Sequence, residues 1–136
     1  MIEFKFALAL TAAVVGLLGS APHAAAADLF VIANPKASVT SGDIRDIFLG
    51  EKQFAGATKL IPVDNSALQA EFLDKVLKLD QGKYSTHWTK KGFRDGLNAP
   101  TVLSGDAAVI DFVKQAAGGV GYVRSAPAGA NVVGKF

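Results

Sequence analysis

After residue 27, short apolar runs alternate with longer segments whose apolar residues recur every three or four positions. The short runs predict strands at 29–33, 59–63, 120–123 and 132–136, with a further extended piece at 101–103. The longer segments predict about four helices, capped near Thr40, Ser66, Asp80 and Ser104. This alternation favours an α/β sandwich, with a mixed and mostly parallel sheet flanked by the helices.

Three details of this pattern give sharper expectations. Phe54 lies in a polar loop at 51–58, and we expect its ring to fold back onto the core. Tyr84 and Trp88 are one turn apart on the third predicted helix and should face the core. We expect Gly92 to end that helix, since glycine is common just beyond a helix C-terminus.

The segment 61–72 joins a predicted strand to a predicted helix through Asp64, Asn65 and Ser66. Side chains of these types bond neighbouring backbone groups at turns and helix starts. Ser66 and Gln69 also have the spacing of a capping box. A helix start of this kind presents free N–H groups and a favourable dipole to an anion. The segment therefore predicts either an anion-binding helix start or an ordinary capped helix.

Residues 1–27 have the pattern of a secretory signal peptide. Lys5 precedes an apolar run at 6–18, and small residues at 24–27 offer a cleavage site. The run is shorter than the roughly 20 residues that span a bilayer, which argues against an uncleaved membrane anchor. We therefore expect a periplasmic protein whose single domain occupies residues 28–136.

Composition narrows the classes of function. The net charge is +2 and cysteine is absent, which argues against a nucleic-acid surface, a thiolate metal site and a cysteine nucleophile. His87 is the one histidine after residue 27, and no nucleophile elbow surrounds Ser66 to make a hydrolase. We expect a protein that is not an enzyme, without catalytic residues, metal or cofactor.

Two clusters have both a structural and a functional interpretation. Lys90, Lys91 and Arg94 either complement the dipole of the third helix or guide an anion or an acidic partner. The glycine-rich segment at 118–121 follows a helix and enters a strand, the reverse of a phosphate-cradling loop. It predicts a helix stop and close packing of backbone.

Three stretches and one tryptophan, in this order, carry a resemblance to a known family. They are DIRDIFLG at 43–50, PVDNSAL at 62–68, Trp88, and AAVIDFVKQAAGGVGYV at 107–123. Together they resemble the periplasmic phosphate-binding proteins of ABC transporters, which have the type II periplasmic binding protein fold. The family folds as two lobes, whereas the length of this chain predicts one lobe.

The resemblance implies a function and its residues. Asp64 and Ser66 match the aspartate and serine with which the family holds phosphate, while Pro62 replaces its arginine. The implied ligand-binding residues are Asp64, Asn65, Ser66 and Ala67, with Ser104 and Gly105 as a second segment.

Two functions follow as hypotheses: binding of phosphate or another small oxyanion, or a protein-interaction module that kept the fold and lost the ligand. Its partner would be a transporter, a sensor or another envelope protein. A homodimer could rebuild the two-sided cleft.

Overall fold

The computed structural model describes residues 27–136, so all but the last residue of the signal peptide predicted at 1–27 lies outside the described residues. The strands are β1 Phe30–Ala33, β2 Phe54–Ala55, β3 Thr58–Lys59, β4 Ile61–Asn65, β5 Thr101–Leu103, β6 Gly119–Val123 and β7 Asn131–Lys135. The helices are α1 Ile44–Phe48, entered through a 3₁₀ turn Ser41–Asp43, then α2 Gln69–Phe72, which continues as a π-helical turn Leu73–Leu77, and finally α3 Gln81–Asp95 and α4 Asp106–Gln115.

The main sheet has five strands in the order β5-β4-β6-β1-β7. β4 pairs in parallel with β5 and with β6, whereas β1 is antiparallel to β6 and to β7. Four strands therefore run in one direction and β1 runs in the other. The predicted α/β sandwich, with a mixed and mostly parallel sheet and about four helices, is confirmed.

Helices cover both faces of this sheet because successive strand side chains point to opposite faces. On one face, Phe72 of α2 stacks on Tyr122 of β6 with ring centroids 3.9 Å apart, and Phe48 of α1 meets Phe72 edge-on. On the other face, α4 buries Val109 and Val113 in a second apolar cluster. The result is three layers, with α1, α2 and α3 on one side of the sheet and α4 on the other.

Tyr84 and Trp88 are buried, as their spacing on α3 predicts. The expectation for Phe54 is wrong: its side chain is 55% exposed, because it lies in the small β2–β3 hairpin outside the main sheet. The predicted end of α3 is also wrong. The helix passes through Gly92 to Asp95 and stops at Gly96, whose φ of +68° is the left-handed conformation that ends a helix. No helix among residues 27–136 is long and apolar enough to cross a membrane.

Candidate functional site: a crevice at the ends of β4 and β5

The structure brings the two predicted ligand-binding segments together. In the parallel β4–β5 pair, Asn65 is opposite Leu103, and the Ser66 N–H donates to the Leu103 carbonyl over 2.9 Å. Ser66 and Ser104 therefore lie side by side, each one residue beyond its strand. Both segments, 64–67 and 104–105, meet at the carboxyl edge of the sheet.

The connections that leave these two strands separate at this edge. β4 continues into α2 on one face of the sheet, whereas β5 continues into α4 on the opposite face. The β4–β5 pair is therefore a topological switch point, the place where an open α/β sheet is expected to have a crevice between two strands. Open α/β sheets commonly bind ligands in such a crevice, outside the carboxyl ends of the strands.

Asn65 ties the two sides of the crevice together and is fully buried. Its Nδ2 donates to Asp106 Oδ1 over 2.8 Å and to the Tyr122 carbonyl over 3.0 Å. Its Oδ1 accepts from the Ala67 N–H over 3.1 Å. These bonds join β4 to the start of α4 and to β6, so Asn65 has a structural role at this edge.

Asp64 points to the opposite face of β4 and is also buried. Its carboxylate accepts from the hydroxyls of Tyr84 and Tyr122, each over 2.8 Å, and from Gln69 Nε2 over 3.3 Å. Burial raises the pKa of Asp64 more than these three hydrogen bonds lower it. The pKa of each tyrosine is also raised, first by burial and then by the nearby negative charge of Asp64. The carboxylate thus anchors α3 and β6 to β4 and lies away from the crevice.

The predicted helix start after Asn65 differs from the expectation. Its N–H groups are already bonded: that of Ser66 to Leu103, that of Ala67 to Asn65 Oδ1, and that of Leu68 to the Asn65 carbonyl. The capping box does not form, because α2 begins only at Gln69 and the Gln69 side chain reaches Asp64 instead. The expected free donors at Ser66 and Ala67 are therefore not available at this turn.

The start of α4 is the better donor group at this edge. Gly105 occupies the N-cap position, and no side chain there caps the first N–H groups of this ten-residue helix. Ser104, predicted to cap α4, lies outside the cap and is exposed. Gly105 has a φ of +102°, and an added Cβ would meet no atom within 4 Å, so this backbone is open to a ligand.

The charged side chains at this edge of the sheet are largely paired with other groups of the same chain. The Asp106 carboxylate accepts from Asn65 and, over 2.9 Å, from the Arg124 N–H. The Arg124 guanidinium lies 2.6 Å from Glu71 and also donates to the carbonyls of Ala27 and Asp28. Sequence reasoning missed Arg124 as a residue of this edge. It directly follows β6, and the parallel β4–β6 pair brings their carboxyl ends together.

The two remaining clusters have structural explanations. Lys91 is buried, with its Nζ 2.9 Å from Glu51 and 3.4 Å from Asp95, so it does not join the exposed Lys90 and Arg94 in one basic surface. The glycines at 118–121 pack closely, as expected, since a Cβ on Gly118 would lie 1.7 Å from the Lys59 carbonyl oxygen.

Comparisons with protein-family models, with curated proteins and with solved structures found no match for this chain. The resemblance to periplasmic phosphate-binding proteins therefore stays a prediction made from sequence motifs.

Proposed function

We propose that this chain is a small exported binding protein of the ABC-transporter substrate-binding type, non-enzymatic, whose crevice between β4 and β5 takes phosphate or another small oxyanion. The observation that carries this proposal is the meeting of Ser66 and Ser104 at the carboxyl edge of two parallel strands whose connections part to opposite faces. This is where α/β sheets bind small ligands.

The donors in this proposal come mainly from the β5 side. The exposed hydroxyls of Ser66 and Ser104 donate to the anion from the two strand ends. The uncapped N–H groups that follow Gly105 donate from the start of α4, where the helix dipole favours negative charge. Asn65 is a positioning residue, because it holds the Ala67 turn and Asp106 in register.

A thermal melt of the purified protein tests this proposal, with phosphate, sulfate and chloride compared at matched ionic strength. A ligand at 100 times its dissociation constant adds about 2.7 kcal/mol to the free energy of unfolding. For a domain of this size, that raises the melting temperature by roughly 10 °C or more.

The combined Ser66→Ala and Ser104→Ala variant should lose the phosphate shift and keep its melting temperature without ligand. Ser38→Ala is the control, because Ser38 is another exposed serine outside the crevice segments. The proposal is wrong if millimolar phosphate and sulfate produce no shift beyond that of chloride, or if both variants keep the shift.

A second function, the protein-interaction module, is favoured by exposed apolar side chains. Phe93 on α3 is 91% exposed, and Val102 and Val132 are 52% and 45% exposed on β5 and β7. These are the edge strands of the sheet, which offer unpaired backbone groups to another chain. A large exposed aromatic ring is typical of the residues that anchor interfaces.

Capture of envelope proteins by the immobilised domain tests the interaction module. Phe93→Ser should abolish capture of a specific partner and leave the melting temperature unchanged, since the ring packs on little. Sedimentation of the purified protein at increasing concentration distinguishes an envelope partner from a homodimer. Equal capture by the wild type and by Phe93→Ser would remove this ring from the interface.

A further inference from the structure

A second concavity, of about 540 Å³, lies between α1 and the first three turns of α3. Basic side chains dominate its wall: Arg45 comes from α1, and Lys83, His87 and Lys90 come from α3. Asp80 is the one carboxylate among the described residues that line it. We refer to this concavity as the α1–α3 groove.

The positive charge of the α1–α3 groove is not neutralised by ion pairs within residues 27–136. None of the ion pairs there includes Arg45, Lys83 or Lys90. Asp80 is engaged as the N-cap of α3, where its carboxylate accepts from the Lys83 N–H over 2.7 Å. Uncompensated like charges that share one wall create a potential that attracts an anionic partner.

The spacing of these basic residues indicates the shape of that partner. Lys83, His87 and Lys90 are separated by four and then three residues, so they share one face of α3. The seven residues from Lys83 to Lys90 span about 10 Å along the helix axis, at about 1.5 Å per residue. The positions of Lys83 and Lys90 are therefore spread along the groove.

Several hydrogen-bond donors of the groove are already engaged within the chain. The Arg45 guanidinium donates to the Leu77 carbonyl, which leaves fewer of its N–H groups for bidentate binding of a phosphate. His87 Nε2 lies 2.7 Å from the Leu49 carbonyl and so carries a proton directed at the end of α1. The Lys83 N–H is taken by Asp80. Two lysines, Lys83 and Lys90, therefore supply most of the positive charge that remains for a ligand, as two separate ammonium groups.

We propose that the α1–α3 groove is a docking site for an acidic peptide segment of a protein partner. A peptide in the polyproline II conformation has three residues per turn and rises about 3.1 Å per residue, so carboxylates three residues apart share one face about 9 Å apart. That spacing is close to the axial separation of Lys83 and Lys90. This site is separate from the crevice between β4 and β5 and does not depend on anion binding there. It gives the interaction module a defined recognition surface.

Fluorescence anisotropy with a labelled peptide, Glu-Gly-Gly-Glu-Gly-Gly-Glu, tests the proposal at low ionic strength. The combined Lys83→Glu and Lys90→Glu variant should bind the peptide at least about tenfold more weakly, a difference of about 1.4 kcal/mol. Lys36→Glu with Lys114→Glu is the matched control. This control makes the same change of charge at two exposed lysines that lie outside the groove and form no ion pair in the described chain. Peptide binding by the control variant should change less than about twofold.

A second peptide of the same composition, with its three Glu residues adjacent, tests the spacing and should bind more weakly. Ser66→Ala should leave peptide binding unchanged, which separates this site from the crevice. Lys83→Gln with Lys90→Gln, compared in melting temperature with the wild type, serves as the second variant if the charge reversal impairs folding.

Three results would overturn the proposal. Equal losses in the two double variants would show attraction to net charge alone. Displacement of the peptide by tripolyphosphate at equal charge concentration would indicate a small-oxyanion site instead. Binding to vesicles that contain an anionic phospholipid, without binding to the peptide, would indicate a membrane surface.

Discussion

Replacement of Asn65 by alanine should destabilise the domain more than any other single change at the crevice. The variant loses three hydrogen bonds, to Asp106, to the Tyr122 carbonyl and from the Ala67 N–H. An unpaired buried polar group costs about 1–3 kcal/mol. The Tyr122 carbonyl incurs most of that cost. Asp106 keeps the Arg124 N–H, and the exposed Ala67 can bond water.

Adding one full penalty, two smaller ones and a small cavity gives a loss of about 3 kcal/mol. For a domain of this size, that lowers the melting temperature by at least about 12 °C. The buried Trp88 is the one tryptophan in the sequence, so its fluorescence reports unfolding without added label. Ser66→Ala is the matched control, since this exposed neighbour should change the free energy of unfolding by less than about 0.5 kcal/mol.

Asn65→Asp tests the electrostatic part of the same reasoning. It keeps the shape of the side chain but places a second carboxylate where Nδ2 now lies, 2.8 Å from Asp106 Oδ1. Repulsion should make this variant unstable at neutral pH and more stable in acid, where one carboxylate is protonated. A melting temperature of Asn65→Ala within about 4 °C of the wild type would refute the assigned role, as would an Asn65→Asp variant without pH dependence.

Further predictions concern the core. Gly118→Ala should lower the free energy of unfolding, measured in urea, by more than about 3 kcal/mol, because the new Cβ would overlap the Lys59 carbonyl. Gly82→Ala on α3 is the control and should be neutral or stabilising by up to about 1 kcal/mol. Equal effects of the two substitutions would contradict the packing argument. The pKa of Asp64, followed by NMR of its side-chain carboxyl carbon, should exceed its usual 3.8. The folded state then holds this proton more tightly than the unfolded state, so the stabilising contribution is complete below about pH 4 and is lost as the pH rises through the raised pKa. Asp64→Asn should remove this pH dependence, and an Asp64 pKa at or below 3.8 would refute the desolvation argument.

Local patterns predicted the elements well. The continuous apolar run at 29–33 gives β1, the spacing of Tyr84 and Trp88 gives the buried face of α3, and Asp80 caps that helix as its residue type suggests. These features depend on residues close together in the chain, so the local amino-acid sequence determines them. The errors at Gly92 and Ser104 are shifts of helix ends, where glycine and serine fit several neighbouring positions.

The grouping of the predicted ligand-binding residues came from the motif resemblance, but their roles depend on the tertiary structure. Asp64 and Asn65 look alike in sequence, as polar residues before a helix. In the fold they belong to β4, and the pleat turns Asp64 towards Tyr84 and Asn65 towards Asp106. A shift of one residue in strand register would exchange these environments.

The sequence by itself determined that short apolar strands alternate with amphipathic helices in an α/β domain, and it marked Ser66 and Ser104 as polar residues at strand ends. Only the tertiary structure decided that these two serines share one edge and that the N–H groups after Asn65 are already bonded. It also decided that the start of α4 carries no side-chain cap and that Arg45 of α1 and Lys83 of α3 line one groove. The physical reason is that strand order and register in the main sheet arise from pairings between residues 38 or more positions apart, which no local pattern encodes.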